Sequence, residues 1–168
     1  MIVIADTSPL NYFILLSHVE ALRNLYGRVI IPQAVADELN SPKSPKPVRE
    51  WVRSLPGWLE VRQVTVPSDS GLAKLDEGER EAILLAEELR ADALILDERA
   101  GRREAERRKI RVIGTIRVLD DAAEAGLLDL PAALQQLQNL GFYLDQTPME
   151  FLLARHAERE RRKAEPKG

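Results

Sequence analysis

A chain of 168 residues, 45% hydrophobic and 30% charged, has the make-up of a soluble globular protein with enough apolar side chain for a proper core. It has no cysteine, which excludes disulfides and thiolate metal sites, and its only histidines are His18 and His156, so any metal would be held by oxygen. Net charge is −3, no apolar stretch nears the ~20 residues that cross a bilayer, and no basic leader precedes the first apolar run, so a cytoplasmic protein with no membrane partner is expected.

Ile2-Val3-Ile4-Ala5 is a continuous apolar run that ends at Asp6. Without polar alternation it predicts a strand buried on both faces of a parallel sheet. Thr7-Ser8-Pro9 has the hydroxyl cap and early proline of a helix start. Leu10 to Leu16 and Val19 to Leu25 then keep helical apolar spacing up to Gly27. Val29-Ile30-Ile31, closed by Pro32, predicts a second buried strand, and 33–39 a short helix. Ser41-Pro42-Lys43-Ser44-Pro45-Lys46-Pro47 is a loop by composition. A helix over 48–55, a strand over 59–66 and a loop over 67–71 precede a strong helix over 77–90. Ala93-Leu94-Ile95-Leu96 repeats the first pattern and ends at Asp97. A basic helix from about Arg99, a short strand over 111–113 and helices over 116–125, 130–140 and 148–163 complete the chain. Strands separated by helices imply βαβ units, so the fold class is α/β with a central parallel sheet covered on both faces.

In such sheets ligands bind outside the carboxyl ends of the strands, where Asp6 and Asp97 both fall. Two carboxylates brought together repel unless a proton or a cation sits between them, which points to a divalent metal site. Glu38 shares the inward face of its helix with Val35, although a glutamate at the edge of an apolar stripe is also an ordinary surface residue. Asp76-Glu77-Gly78-Glu79 resembles a capping box, which would fold Glu79 back onto the helix start. Yet Ala82, Ile83 and Ala86 place Glu79 on the apolar face, with Glu81 rotated off it and kept as the alternative. Asp97 could instead cap the next helix, with Glu98 favoured in its first turn by the helix dipole.

Charge is uneven. Arg99, Arg102, Arg103, Arg107, Arg108, Lys109 and Arg111 crowd one segment against Glu104 and Glu106, and 155–167 is also rich in arginine. Such segments are either solvated helix faces with i,i+4 ion pairs or the walls of a groove for nucleic-acid phosphates. In the last helix the apolar residues Met149, Phe151, Leu152 and Leu153, with His156, fall mainly in the first half. That half is expected to dock, while the charged end projects into solvent.

The runs Ile4-Ala5-Asp6-Thr7-Ser8-Pro9-Leu10, Ile31-Pro32-Gln33-Ala34-Val35-Ala36-Asp37-Glu38-Leu39, Gly78-Glu79-Arg80-Glu81-Ala82-Ile83 and Leu94-Ile95-Leu96-Asp97-Glu98-Arg99 resemble the PIN-domain ribonucleases, in the branch near the VapC-type toxins. Order and spacing match over about residues 1–125. The resemblance implies a three-layer α/β/α sandwich, a nuclease domain over 1–147 and a C-terminal helix and tail over 148–168. It implies Asp6, Glu38, Glu79 and Asp97 as catalytic and metal-binding acids, with Thr7 or Ser8 supporting the first aspartate and Glu81 and Glu98 nearby. Mg²⁺ or Mn²⁺ would serve hydrolysis of RNA, steered by Arg99, Arg102 and Arg103. A homodimer and an antitoxin partner are further implications. The chain departs from many toxins in having Glu79 where they have aspartate, and Arg80 where they have alanine. An aspartyl phosphotransferase would want an acid at Ser8. A receiver-type signalling domain would want an acidic pair at the first strand and a lysine near Gly114. A non-catalytic module of the same fold, binding RNA or a protein, is the alternative.

Overall fold

The computed structural model describes residues 1–65 and 71–168, and the expected loop at 67–70, with the end of the strand expected at 59–66, lies outside the described residues. By contacts the chain divides into two compact units, 1–115 and 116–168.

Among the described residues the first unit holds five parallel strands: β1 (Val3–Ala5), β2 (Val29–Pro32), β3 (Leu59–Arg62), β4 (Ala93–Ile95) and β5 (Val112–Ile113), in the order β3-β2-β1-β4-β5. The apolar runs explain the centre. Val3, Ile4, Ala5, Val29, Leu94 and Ile95 have no exposed surface, which suits strands covered on both faces. At the edge, β3 stops at Arg62, shorter than the alternating pattern suggests, and its last three residues are only half-buried.

Parallel strands need crossover connections, and among the described residues these are supplied by α1 (Thr7–Leu15), α2 (Glu20–Tyr26), α3 (Gln33–Leu39), α4 (Lys46–Val52), α5 (Glu77–Glu88) and α6 (Arg99–Arg107). The result is a three-layer α/β/α sandwich. Helix α4 begins at Lys46, two residues before the expected start, because Pro45 and Pro47 flank its first residue and proline favours a first turn. Helix α5 packs on β1, β2 and β4 and also meets α3 and α6, so it is buried on nearly all sides from Gly78 to Ala86. Ile83 and Leu85 join Ile4, Leu94, Leu96 and Ala105 in the core there, each such side chain contributing about 2 kcal/mol by leaving water.

The second unit holds α7 (Thr115–Glu124, its first residue belonging to the first unit), α8 (Leu130–Asn139) and α9 (Gln146–Ala164). Its docking differs from the expectation for the last helix. Phe151 remains 65% exposed while Leu152, Leu153 and His156 are half-buried, and the charged middle of α9 adds to the attachment. Arg155 and Arg159 both donate to Asp120 of α7, whose side chain is 2% exposed, and Lys163 Nζ reaches the Glu124 carbonyl at 3.2 Å. A buried carboxylate needs paired charge, and that need draws both guanidinium groups onto α7, Arg159 half-buried and Arg155 still exposed. Farther along, Glu158 pairs with Arg161 and Arg162 within the helix, as expected of a solvated charged face.

Candidate active site

β1 and β4 lie side by side in the middle of the sheet and run parallel, so Asp6 and Asp97 stand at the same, carboxyl edge. The Asp6 amide donates to the Ile95 carbonyl at 3.0 Å, carrying the pairing one step beyond β1. Strand order reverses at this pair, β2 and β3 lying to one side and β5 to the other, and a crevice at that reversal is where α/β sheets hold ligands.

Asp6 precedes α1 and is 4% exposed. Thr7 is not the cap expected from the sequence. It is the first helical residue, and its Oγ1 donates to Glu38 Oε2 of α3 at 2.7 Å. The three groups meet over Gly78. A β-carbon there would lie 3.1 Å from Glu38 Oε2, 3.4 Å from Thr7 Oγ1 and 3.5 Å from Asp6 Oδ1. Glycine in the first turn of α5 thus leaves open the space that these oxygens share.

Glu79 has both of the roles weighed for it. Its amide donates to Asp76 Oδ1 at 2.8 Å and its Oε2 accepts from the Asp76 amide at 3.3 Å, a complete capping box. It is also buried, and its charge acts on Asp6. Glu81 is buried too, contrary to its expected position off the apolar face, because α5 is enclosed by α3 as well as by the sheet. Glu81 Oε1 accepts from the Ala34 amide at 3.4 Å, at the start of α3. The charge of Glu79, and not that of Glu81, acts on Asp6.

Asp97 accepts from the Thr115 amide through Oδ1 at 2.8 Å and from Thr115 Oγ1 through Oδ2 at 2.6 Å. It holds Thr115, the last residue of the first unit, and leaves the position before α6 to the exposed Glu98. Arg102 is half-buried, its Nη1 donating to the Leu96 carbonyl at 2.9 Å. A β-carbon on Gly114 would lie 3.0 Å from that nitrogen and 3.1 Å from Asp97 Oδ1. Arg99 and Arg103 are exposed, whereas Arg107 and Arg108 pair with Glu104. Ser8 is half-buried beside Thr7.

Electrostatics single out Asp6. Burial is the largest influence on its carboxyl; the Thr7 amide pulls the other way, and the charges of Asp76, Glu79 and Glu38 add to burial, so its pKa is pushed up from 3.8 to about 7. Glu79 is pushed up by burial first and then by Asp76, with Glu98 and Glu38 contributing. Asp76, Gly78 and Thr115 were not expected here. A glycine inside a helix's first turn was a usable signal of close approach. Nothing in the sequence linked Thr115 to Asp97.

A divalent cation suits this donor chemistry, since the group is all hard oxygen and the charges acting on Asp6 are negative. Among the described residues no three acidic or imidazole side chains are already gathered tightly enough to hold one ion. Asp6 and Glu38 converge, and Asp97 is held by Thr115.

A family model described as PIN domain matches residues 2–158. This chain belongs to the PIN-domain family. PIN domains are in general nucleases that use divalent metals. Among solved structures, a PilT N-terminus domain protein from the hyperthermophilic archaeon Sulfolobus solfataricus P2 is 20% identical, with a TM-score of 0.49 over 73% of this chain and 93% of that one. No curated protein matches the chain. Among the described residues, no helix of this PIN protein is long and apolar enough to cross a membrane.

Proposed function

We propose that this PIN protein is an endoribonuclease dependent on Mg²⁺ or Mn²⁺, with Asp6, Glu38, Glu79 and Asp97 as its acids. The observation that carries the reading is the meeting of Asp6 Oδ1, Glu38 Oε2 and Thr7 Oγ1 over Gly78 at the carboxyl end of β1. Asp6 and Glu38 would hold the ion, with Glu79 and Asp97 beside them. When bound, it supplies positive charge against the phosphodiester and lowers the pKa of water. Thr7 fixes the orientation of Glu38, Thr115 that of Asp97, and an ionised carboxylate of the group accepts the proton of the water that attacks phosphorus. Because Asp6 keeps a proton up to about pH 7 without a cation, cation binding displaces that proton and tightens as pH rises toward 7.

A second reading, a PIN domain that binds RNA without cutting it, is favoured by one observation: both oxygens of Asp97 are taken by Thr115. Incubation with single-stranded RNA decides. The nuclease reading expects cleavage in Mg²⁺ or Mn²⁺ that stops in EDTA and in Asp6→Asn. Binding without cleavage supports the second reading, and cleavage that persists in Asp6→Asn refutes the proposed acids.

A further inference from the structure

Two clefts flank Glu38, and their walls differ in charge. One, of about 280 Å³, is bounded by Asp37, Glu38, Asp76 and Glu77 with Ala34 and Gly78. Four carboxylates repel a phosphodiester strand. The other, of about 240 Å³, meets the acidic centre at Thr7 and Glu38 and extends over Ser8 and Asn11 of α1 to the loop at 41–45. That loop is fastened from several sides. Ser44 Oγ donates to the Glu38 carbonyl at 2.9 Å, the Lys43 amide to Ser41 Oγ at 3.2 Å, and Arg49 Nη1 to the Pro42 carbonyl at 3.2 Å. Pro42 and Pro45 each lock one backbone angle in it. The Ser-Pro-Lys-Ser-Pro composition predicts a loop and assigns it no task.

Resting on the ribonuclease reading above, we infer that this second cleft is a sugar–phosphate subsite for the RNA strand beside the bond to be cut, with Lys43 receiving the phosphate and Ser8 and Asn11 the ribose 2′-hydroxyl. Lys43 is exposed and supplies a point charge for a phosphate oxygen. Hydroxyl and carboxamide groups donate and accept alike, which a 2′-hydroxyl requires and which separates RNA from DNA. Among the described residues the lining has no aromatic ring, so the cleft takes backbone and not a stacked base. Charge decides between the two clefts: a polyanion enters where the lysine stands.

Fluorescence anisotropy in EDTA, with a short labelled single-stranded RNA and the DNA of the same sequence, tests this without cleavage. Wild type should favour RNA. Ser8→Ala with Asn11→Ala should weaken RNA binding roughly fivefold, the scale of one ordinary hydrogen bond, and leave DNA binding unchanged. Lys43→Ala should weaken both strands and lower the salt slope by about one. Lys43→Glu, at an exposed side chain that the fold does not need, should weaken both further and decides the matter if the double variant fails to fold. Equal affinity of wild type for RNA and DNA, or wild-type RNA binding by Lys43→Glu, overturns the subsite. Parallel cleavage assays separate the two readings. The binding pattern without cleavage sinks the nuclease and leaves the subsite. Cleavage with unaffected binding in the variants does the reverse.

Discussion

Replacing Asp6 by asparagine should make the cation-free protein more stable while abolishing its proposed activity. The side chain is 4% exposed, and its pKa is pushed up from 3.8 to about 7, chiefly by burial and then by Asp76, Glu79 and Glu38. The sign follows from linkage: between these values the native state binds a proton that the unfolded state has released, so stability falls as pH rises from about 4 to 7. At about 1.4 kcal/mol per pKa unit the full shift amounts to roughly 4 kcal/mol. Relaxation of the exposed Glu38 and the cost of burying an amide reduce the gain from Asp6→Asn to about 2 kcal/mol at pH 8. Urea unfolding in EDTA at a series of pH values measures this. The two proteins should be alike near pH 4 and diverge up to pH 7, with the variant the more stable. Added Mn²⁺ should then stabilise wild type and leave Asp6→Asn nearly unchanged. Wild type as stable as the variant at pH 8 in EDTA would refute the argument that Asp6 is strained by burial among like charges.

Glu79→Gln should abolish metal-dependent cleavage, whereas Glu81→Gln should retain it, because Glu81 faces the Ala34 amide and not Asp6; RNA cleavage assays on the two variants separate the carboxylates. Thr115→Val should cost about 1–2 kcal/mol in a denaturant titration, since it leaves Asp97 Oδ2 without its hydroxyl partner. Asp120→Ala should cost about 3 kcal/mol or more, read as a lower melting temperature, because it strands Arg159, a half-buried guanidinium, without its carboxylate.

The sheet was legible because its signal is simple. Ile2 to Ala5 and Ala93 to Leu96 have no polar alternation, and only strands covered on both sides accept that pattern. The same two runs brought Asp6 and Asp97 to one edge, since parallel strands end on the same side. Glu81 was misjudged for a related reason. A stripe argument assumes one buried face, and α5 is enclosed by α3 and α6 as well as by the sheet. The pairings of Arg102 and α9 were hidden for a different reason: a strand-end carbonyl at Leu96 and a buried carboxylate at Asp120 call for donors, and long cationic side chains reach them. Asp120 lies 39 residues from Arg159 and Leu96 only six from Arg102, and periodicity reports neither partner. The pairing of Thr115 with Asp97 spans 18 residues and was invisible for the same reason.

The strand order also sets a schedule. β1 pairs with β2 and β2 with β3, so the sheet can begin to assemble from the first part of the chain, but the other side of β1 waits for β4. Pairing across such a sequence separation is slow compared with local structure, and during synthesis the N-terminal part emerges first. Asp6 and Glu38 are made early, whereas Asp97, at the end of β4, takes its place at the same edge of the sheet only after most of the first unit has left the ribosome. A truncated product that ends before β4 therefore lacks Asp97 and leaves one side of β1 unpaired.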